Sequence, residues 1–297
     1  MQSWTIQEQD RSVHVMEFDL LSVKDEFKVL CMADAHIDST MCERTLLKRD
    51  LEEARDINAP VIDFGDFFDA MQGKYDRRSS KDELRPDLLG SEVPYLQAMV
   101  EDGVEFMRPY KDILTVRGIG NHEDAIRQNC EWDVGQEFVT RLRGEGAGNI
   151  YLGGYHGWVV FRVGVTSTQS RVKTLKYHHG WGGGGPVTHG VIQSARMSDW
   201  VGDADLVATG HTHHEWRISR MKETLNVHSR AGYLPRVSRQ THFRVPGYKN
   251  EFIQKGGSFA NRKGQGPKPI GGAWLRFKQI GGTSREVGVK VEETSWG

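Results

Sequence analysis

An α/β architecture follows from three features of this 297-residue chain. Five short runs rich in Val, Ile, Leu and Phe recur along it, each of the length and composition of a buried strand. Segments with apolar residues at helical spacing lie between them, and strand followed by helix, repeated, builds an α/β sheet. Each run also stops abruptly at Asp, Asn or His. In such sheets ligands gather at the carboxyl ends of strands, where loops expose polar groups over a rigid base.

The elements follow in order. The first run, 27–33, ends before Asp34, and residues 41–57 then place Leu46, Leu47, Leu51 and Ala54 on one helical face. The second, 60–65, ends before Asp66. Residues 71–92 lack periodicity and read as a mobile loop beside the second motif. A helix over 94–108, marked by Tyr95, Met99, Phe106 and Met107, leads to the third run, 112–120, which stops at Asn121. Residues 149–165 read as a hairpin turning near Tyr155, His156 and Gly157. The fourth run, 172–177, ends before His178 and His179; a helix over 187–200 precedes the fifth, 205–210, which ends before His211. From Trp216 onward strand-like pieces (216–225, 242–245, 273–277, 287–291) alternate with Gly-rich turns. The expected division is therefore a core of residues 1–215 and a basic, β-rich C-terminal region, 216–297, packed on the same domain.

Composition narrows the class. Hydrophobic residues at 37% and charged residues at 27% suit a globular protein and argue against a disordered or fibrous one. No run approaches the roughly 18 apolar residues of a membrane span. Glu8, Asp10, Arg11, Glu17 and Asp19 interrupt the first twenty residues, so no secretory leader is read there. Cys31, Cys42 and Cys130 have no CxxC spacing, which suits a reducing compartment and excludes a thiolate zinc module. A cytoplasmic location without a membrane partner is the expectation. The net charge of -1 hides a polarised chain: residues 216–280 carry eight Arg and six Lys against Glu223 and Glu251, a net +12, so the rest is acidic. An acidic body attracts cations and a basic region attracts anions, which suggests a metal site beside a polyanion-binding surface. A solvated tail kept soluble by its Lys and Arg explains the same numbers. Trp216, Tyr233, Phe243, Tyr248 and Phe252 interleave with the basic residues, a pattern compatible with base stacking or with the core of a β cap.

The strand ends supply the chemistry. Asp34 and His36, two apart in an extended segment, point to the same side and can hold one ion together. Asp66 has two carboxylate oxygens and can bridge two ions. Asn121 offers an amide oxygen, beside it His122 an imidazole that need not bind metal, and His179, His211 and His213 complete the set. Seven ligands with one shared make two sites of four, with positions left for water and phosphate oxygens. Hard oxygens and imidazoles without thiolate suit Mn2+, with Fe or Zn2+ as the other choices. Gly182 to Gly185 lack the Lys-Ser/Thr ending of a P-loop and read as a loop whose bare backbone approaches the site. His14, His156, His189, His228 and His242 have no motif around them and are expected to be structural or exposed.

The ordered series Asp34-x-His36, Gly65-Asp66, Gly120-Asn121-His122-Glu123, His179 and Gly210-His211-x-His213 resembles the calcineurin-like metallophosphoesterase superfamily over roughly residues 27–214. The resemblance implies two mixed β-sheets packed as a sandwich and flanked by helices, with the metals between the sheet ends. It implies Asp34, His36, Asp66 and His213 around one ion, and Asp66, Asn121, His179 and His211 around the other. His122 would face the phosphate and protonate the leaving oxygen, with Glu123 or Asp124 orienting it. His179, directly before Gly180, takes the ligand position usual in relatives with a His-Gly pair, leaving His178 near the substrate, and Asp69 is assigned to the substrate with it. Serine/threonine protein phosphatases follow their Gly-Asp with Asp-Arg-Gly; here Gly65-Asp66-Phe67-Phe68-Asp69 lacks that arginine and is similar to the bacterial double-strand-break repair nucleases, whereas Glu123 stands where those nucleases usually carry Asp. The block from His178 to Gly183 resembles members carried by phages and prophages. The implied activity is two-metal phosphodiester hydrolysis, by a nuclease or a nucleotide phosphodiesterase. The alternatives are a phosphomonoesterase acting on a metabolite or phosphoprotein, and a non-catalytic scaffold of the same fold.

Overall fold

The computed structural model describes residues 1–70, 83–185, 187–226, 232–252, 266–281 and 285–294. Its strands are β1 (Trp4–Asp10), β2 (Val13–Asp19), β3 (Glu26–Met32), β4 (Val61–Asp63), β5 (Leu114–Arg117), β6 (Tyr151–Leu152), β7 (His156–Gly164), β8 (Ser170–His178), β9 (Leu206–Thr209), β10 (Trp216–Asn226), β11 (Leu234–Arg244), β12 (Ala273–Gln279) and β13 (Val287–Glu293). The α-helices are α1 (Arg44–Ile57), α2 (Pro86–Leu89), α3 (Tyr95–Met107), α4 (Asn121–Cys130), α5 (Val134–Gly144) and α6 (Val191–Trp200). The strands form a seven-stranded sheet, β1-β2-β7-β8-β9-β11-β10, and a six-stranded sheet, β13-β12-β3-β4-β5-β6. Both are mixed. β3, β4, β5 and β6 run parallel, as do β8, β9 and β11, while β12 pairs antiparallel with β3 and with β13.

Alternation along the strands decides the layers. In β7, Gly157, Val159, Phe161 and Val163 point inward and are buried, while His156 and Arg162 face out. Val159, Phe161, Leu175, Tyr177, Ala208 and Phe243 of the seven-stranded sheet meet Phe27, Val29, Ile62, Leu275 and Phe277 of the other, so the two sheets close on one apolar layer. The outer face of the six-stranded sheet, with Leu30, Met32, Val61 and Leu114, is covered by Leu47, Leu51, Met99, Val104, Phe138 and Leu142 of α1, α3 and α5. On the opposite side Met197 of α6 packs with Val207 and Trp158. The expected sandwich of two mixed sheets flanked by helices is the architecture observed.

Several expectations change. Residues 149–165 are not a hairpin: β6 pairs with β5 in one sheet and β7 with β2 and β8 in the other, so Gly153 and Gly154 carry the chain between sheets. The hairpin is β7 with β8, closed at Val165 and Gln169. β1, β2 and α5 lie where no element was read, and α4 begins at Asn121 itself, where the third run was seen only to stop. Residues 71–82 of the expected loop lie outside the described residues, and 86–89 form the short α2. The C-terminal strands enter both sheets, β11 beside β9 and β12 beside β3. Phe243 belongs to the layer between the sheets and Tyr248 is buried with its hydroxyl donating to Asp50 Oδ2 at 2.9 Å, so neither is free to stack on a base. Tyr233 is exposed. Among the described residues no helix is long and apolar enough to cross a membrane.

Candidate metal centre

Five strand ends converge at one rim of the sandwich. Asp34 and His36 follow β3, Asp66 follows β4, and Asn121 and His122 open α4 after β5; these three strands are neighbours in the six-stranded sheet. His179 follows β8, and His211 and His213 follow β9, neighbours in the other sheet. The turns that bring them together are strained. Asp34, His36, Asp66, His211 and His213 all hold left-handed backbone, with φ of 49°, 47°, 54°, 76° and 51°. Non-glycine residues rarely adopt this region, and a cluster of them marks a functional site. Glycine makes the closest approaches possible: a Cβ on Gly120 would overlap the Asp66 carboxylate, and one on Gly210 would lie 2.5 Å from Asp34 Oδ2.

The ligand atoms gather in groups. Asp34, His36 and His213 form one and Asp66, His179 and His211 another, with the atoms of each group within 4.8 Å of one another. Asn121 joins the second, its Oδ1 3.2 Å from His179 Nε2. A third group, His36, Asp69 and His122, shares His36 with the first. Asp34 Oδ1 and His36 Nε2 are buried 3.9 Å apart, and neither makes a hydrogen bond among the described residues. A carboxylate and imidazoles that converge in a buried space are the donor set a divalent cation requires, and burying polar atoms without hydrogen bonds otherwise carries a cost. The residues therefore fit divalent metal.

The atoms behind the imidazoles strengthen this fit. His179 Nδ1 lies 3.2 Å from the Phe64 carbonyl, which accepts its proton and leaves Nε2 at the centre, 3.0 Å from Asp66 Oδ2. His211 Nε2 donates to the Gly182 carbonyl at 2.8 Å, so Nδ1 is its ligand atom. His36 Nδ1 stands 2.7 Å from Asp69 Oδ1, which leaves Nε2 for the site. His122 Nδ1 donates to the Asp69 carbonyl at 2.5 Å, and its Nε2 lies 3.8 Å from Asp66 Oδ2. His213 Nε2 is 3.4 Å from Asp34 Oδ1, with Glu251 3.7 Å behind on the Nδ1 side. Fixing the outer nitrogen sets the tautomer of a metal-binding imidazole and its aim.

Charge follows the same geometry. Burial alone would raise the Asp34 carboxyl, yet the His213 imidazole beside it holds it down at about 2. Burial opposes protonation of His179, but Asp66 outweighs it and lifts the imidazole to about 9. His211 is pushed down to about 4 by burial. Asp66 lies well below the usual carboxylate range, because the His179 and His122 imidazoles overcome its burial.

Other assignments are rearranged by the structure. Asp69, grouped with the substrate from the sequence, has a fully buried carboxylate between His36 and Lys249, whose Nζ donates to Oδ1 at 2.8 Å. Its own backbone is fixed by Asp38, which accepts from the N–H groups of Asp69 and Ala70 and from the Tyr95 hydroxyl. Neither Glu123 nor Asp124 is the group that holds His122 Nδ1; that is the Asp69 carbonyl. Glu123 accepts from the N–H groups of Gly120, Asp66 and Phe68 and pairs with Arg117, while Asp124 pairs with Arg127. His178 lies in none of the three groups; its Nδ1 accepts from the Gly180 N–H at 2.9 Å. Lys249, Glu251 and Asp38 were missed, and no local signal marks them: Lys249 reaches Asp69 across 180 positions of sequence. Arg244 is buried, donates to Thr209 and Thr212 Oγ1 and to the His189 carbonyl, and so steadies the loop carrying His211 and His213. Among the residues without motifs, His14 and His242 are buried and His189 stacks on His214 at 4.4 Å; His228 lies outside the described residues.

No family model and no curated protein matches this sequence. Among solved structures the chain is similar to a metallophosphoesterase from Sphaerobacter thermophilus, at 13% identity and a TM-score of 0.33, over 91% of this chain and 89% of that one. It is also similar to GAP50, the anchor in the inner membrane complex of Plasmodium, at 11% identity and a TM-score of 0.39, over 90% of this chain and 84% of that one.

Proposed function

We propose that this chain is a metal-dependent phosphoesterase of the calcineurin-like kind, and more specifically a phosphodiester hydrolase acting on a nucleic acid or nucleotide. The observation that carries this reading is the double ligand group at one rim, Asp34, His36 and His213 beside Asp66, His179, His211 and Asn121. Two divalent ions, Mn2+ in the first instance and Fe or Zn2+ otherwise, would offset phosphate charge and activate water. Asp66, whose carboxylate has two oxygens, would be the residue to serve both. His122 has its Nδ1–H held by the Asp69 carbonyl, so Nε2 is the atom that carries a proton to the leaving oxygen. Asp69 positions two imidazoles, His36 through its carboxylate and His122 through its carbonyl. Ala70, directly after Asp69, stands where the Asp-Arg-Gly pattern carries its monoester-clamping arginine, which favours a diester. The exposed Arg217 and Arg236 of the C-terminal region are suited to a polyanion. A cytoplasmic setting accords with the three free cysteines.

The test is hydrolysis of bis(p-nitrophenyl) phosphate and p-nitrophenyl phosphate by metal-stripped protein reconstituted with Mn2+, beside Asp66→Asn. A diester preference abolished by Asp66→Asn is expected, and His122→Ala should lower the rate about 10²–10⁴-fold on alkyl leaving groups while retaining metal. Monoester preference would make the protein a phosphatase, and metal-independent silence on both would favour a non-catalytic scaffold.

A further inference from the structure

On the outer face of the seven-stranded sheet, His156 pairs across the strands with His178 and Trp158 with Lys176, so all four side chains share that face. Lys176 is only 4% exposed, yet no carboxylate pairs with its ammonium among the described residues. Its Nζ donates to His156 Nδ1 at 3.0 Å and lies 5.1 Å from the centre of the Trp158 ring. An ammonium only donates, so His156 Nδ1 must accept and its proton sits on Nε2. The same logic applies to His178, whose Nδ1 accepts from the Gly180 N–H and whose proton is therefore also on Nε2. The two rings lie nearly parallel, 17° apart with centres at 5.9 Å, and Trp181 flanks His178 at 4.9 Å. Tyr155 stands edge-on to both His178 and the candidate ligand His179, at 5.4 Å and 5.3 Å, so this cluster adjoins the metal centre.

A buried cation without a counter-ion among the described residues, beside two imidazole N–H donors for which those residues show no acceptor, is an anion site waiting for its charge. We propose that Lys176, His156 and His178 bind a second phosphate of the substrate, one that flanks the scissile diester. This rests on the phosphodiesterase reading and sharpens it: the substrate is an oligonucleotide or a terminally phosphorylated diester, not a cyclic mononucleotide, which has no second phosphate to offer.

Two measurements separate the two claims. Inorganic phosphate titrated into chelator-stripped protein should give saturable shifts of the His156 and His178 imidazole resonances, and Lys176→Met should remove them. Absence of shifts at both histidines in the unmodified protein would overturn the site whatever the variant does. With Mn2+ restored, kcat/KM for the dinucleotides TpT and pTpT and the trinucleotide TpTpT should rise about tenfold once a second phosphate is present, and Lys176→Met should bring the ratio near one. A rise with pTpT alone identifies a terminal phosphate and a rise with TpTpT an internal one. Equal values for all three would overturn the flanking-phosphate assignment. Phosphate shifts without hydrolysis of any of the three would uphold the anion site and sink the hydrolase reading instead.

Discussion

His179 is held from both sides, by the Phe64 carbonyl on Nδ1 and by Asp66 on Nε2, and its raised pKa of about 9 is the thermodynamic trace of that second contact. A group whose folded pKa is raised stabilises the fold fully below its unfolded value, near 6.5, and loses that contribution as pH rises through about 9. Chelated protein should therefore lose stability between about pH 6.5 and 9, and urea titrations of His179→Gln should show a flatter profile across that window. An unchanged slope in the variant would detach the Asp66 contact from the stability. The residues that converge at the candidate centre were legible in the sequence, because each sits at the end of a strand whose apolar run is visible. Asp69, Glu251 and Lys249 were misassigned or missed because their work is done through contacts that join distant segments.

At the level of elements, the turns after β3, β4 and β9 bring the candidate ligands together by bending through left-handed backbone. Glu123, the third residue of α4, accepts the Gly120 N–H at 2.8 Å and the Asp66 N–H at 3.2 Å, and so ties the start of the helix to the loop after β4. Gly120→Ala should push Asp66 out of place, and we expect metal affinity to fall about 10–100-fold, measured by calorimetric titration, with the far-ultraviolet circular dichroism retained. Affinity equal to that of the unmodified protein would show that this close approach does not position Asp66. The strands leading into the motifs were readable from their apolar runs, whereas α4, which begins at Asn121, was not. The passage at 153–155 was not, since paired glycines look alike whether they close a hairpin or carry the chain from one sheet to another.

Across the whole molecule, the layer between the sheets fixes the distance between the strand ends that supply Asp34 and Asp66 and those that supply His179 and His211. Phe161 is fully buried in that layer, its ring centre 4.8 Å from that of Phe277 on the opposing sheet. Phe161→Ala should cost about 3–5 kcal/mol in chemical denaturation, and a loss below about 1 kcal/mol would mean that the layer closes over the cavity. Charge polarity was visible in composition, but its use was not: Lys249 and Lys268 of the basic region lie within the fold, bonded to Asp69 and Glu251 behind the candidate metal centre. Net charge cannot distinguish such internal struts from a surface that meets a polyanion.

Counting bound metal tests the proposed pair of ion sites at this rim most directly. After equilibration with Mn2+ and removal of excess, elemental analysis should find two ions per chain in the unmodified protein and one in each of His213→Gln and His211→Gln, which remove a ligand from different groups. Less than one ion per chain in the unmodified protein, or two retained in both variants, would contradict it.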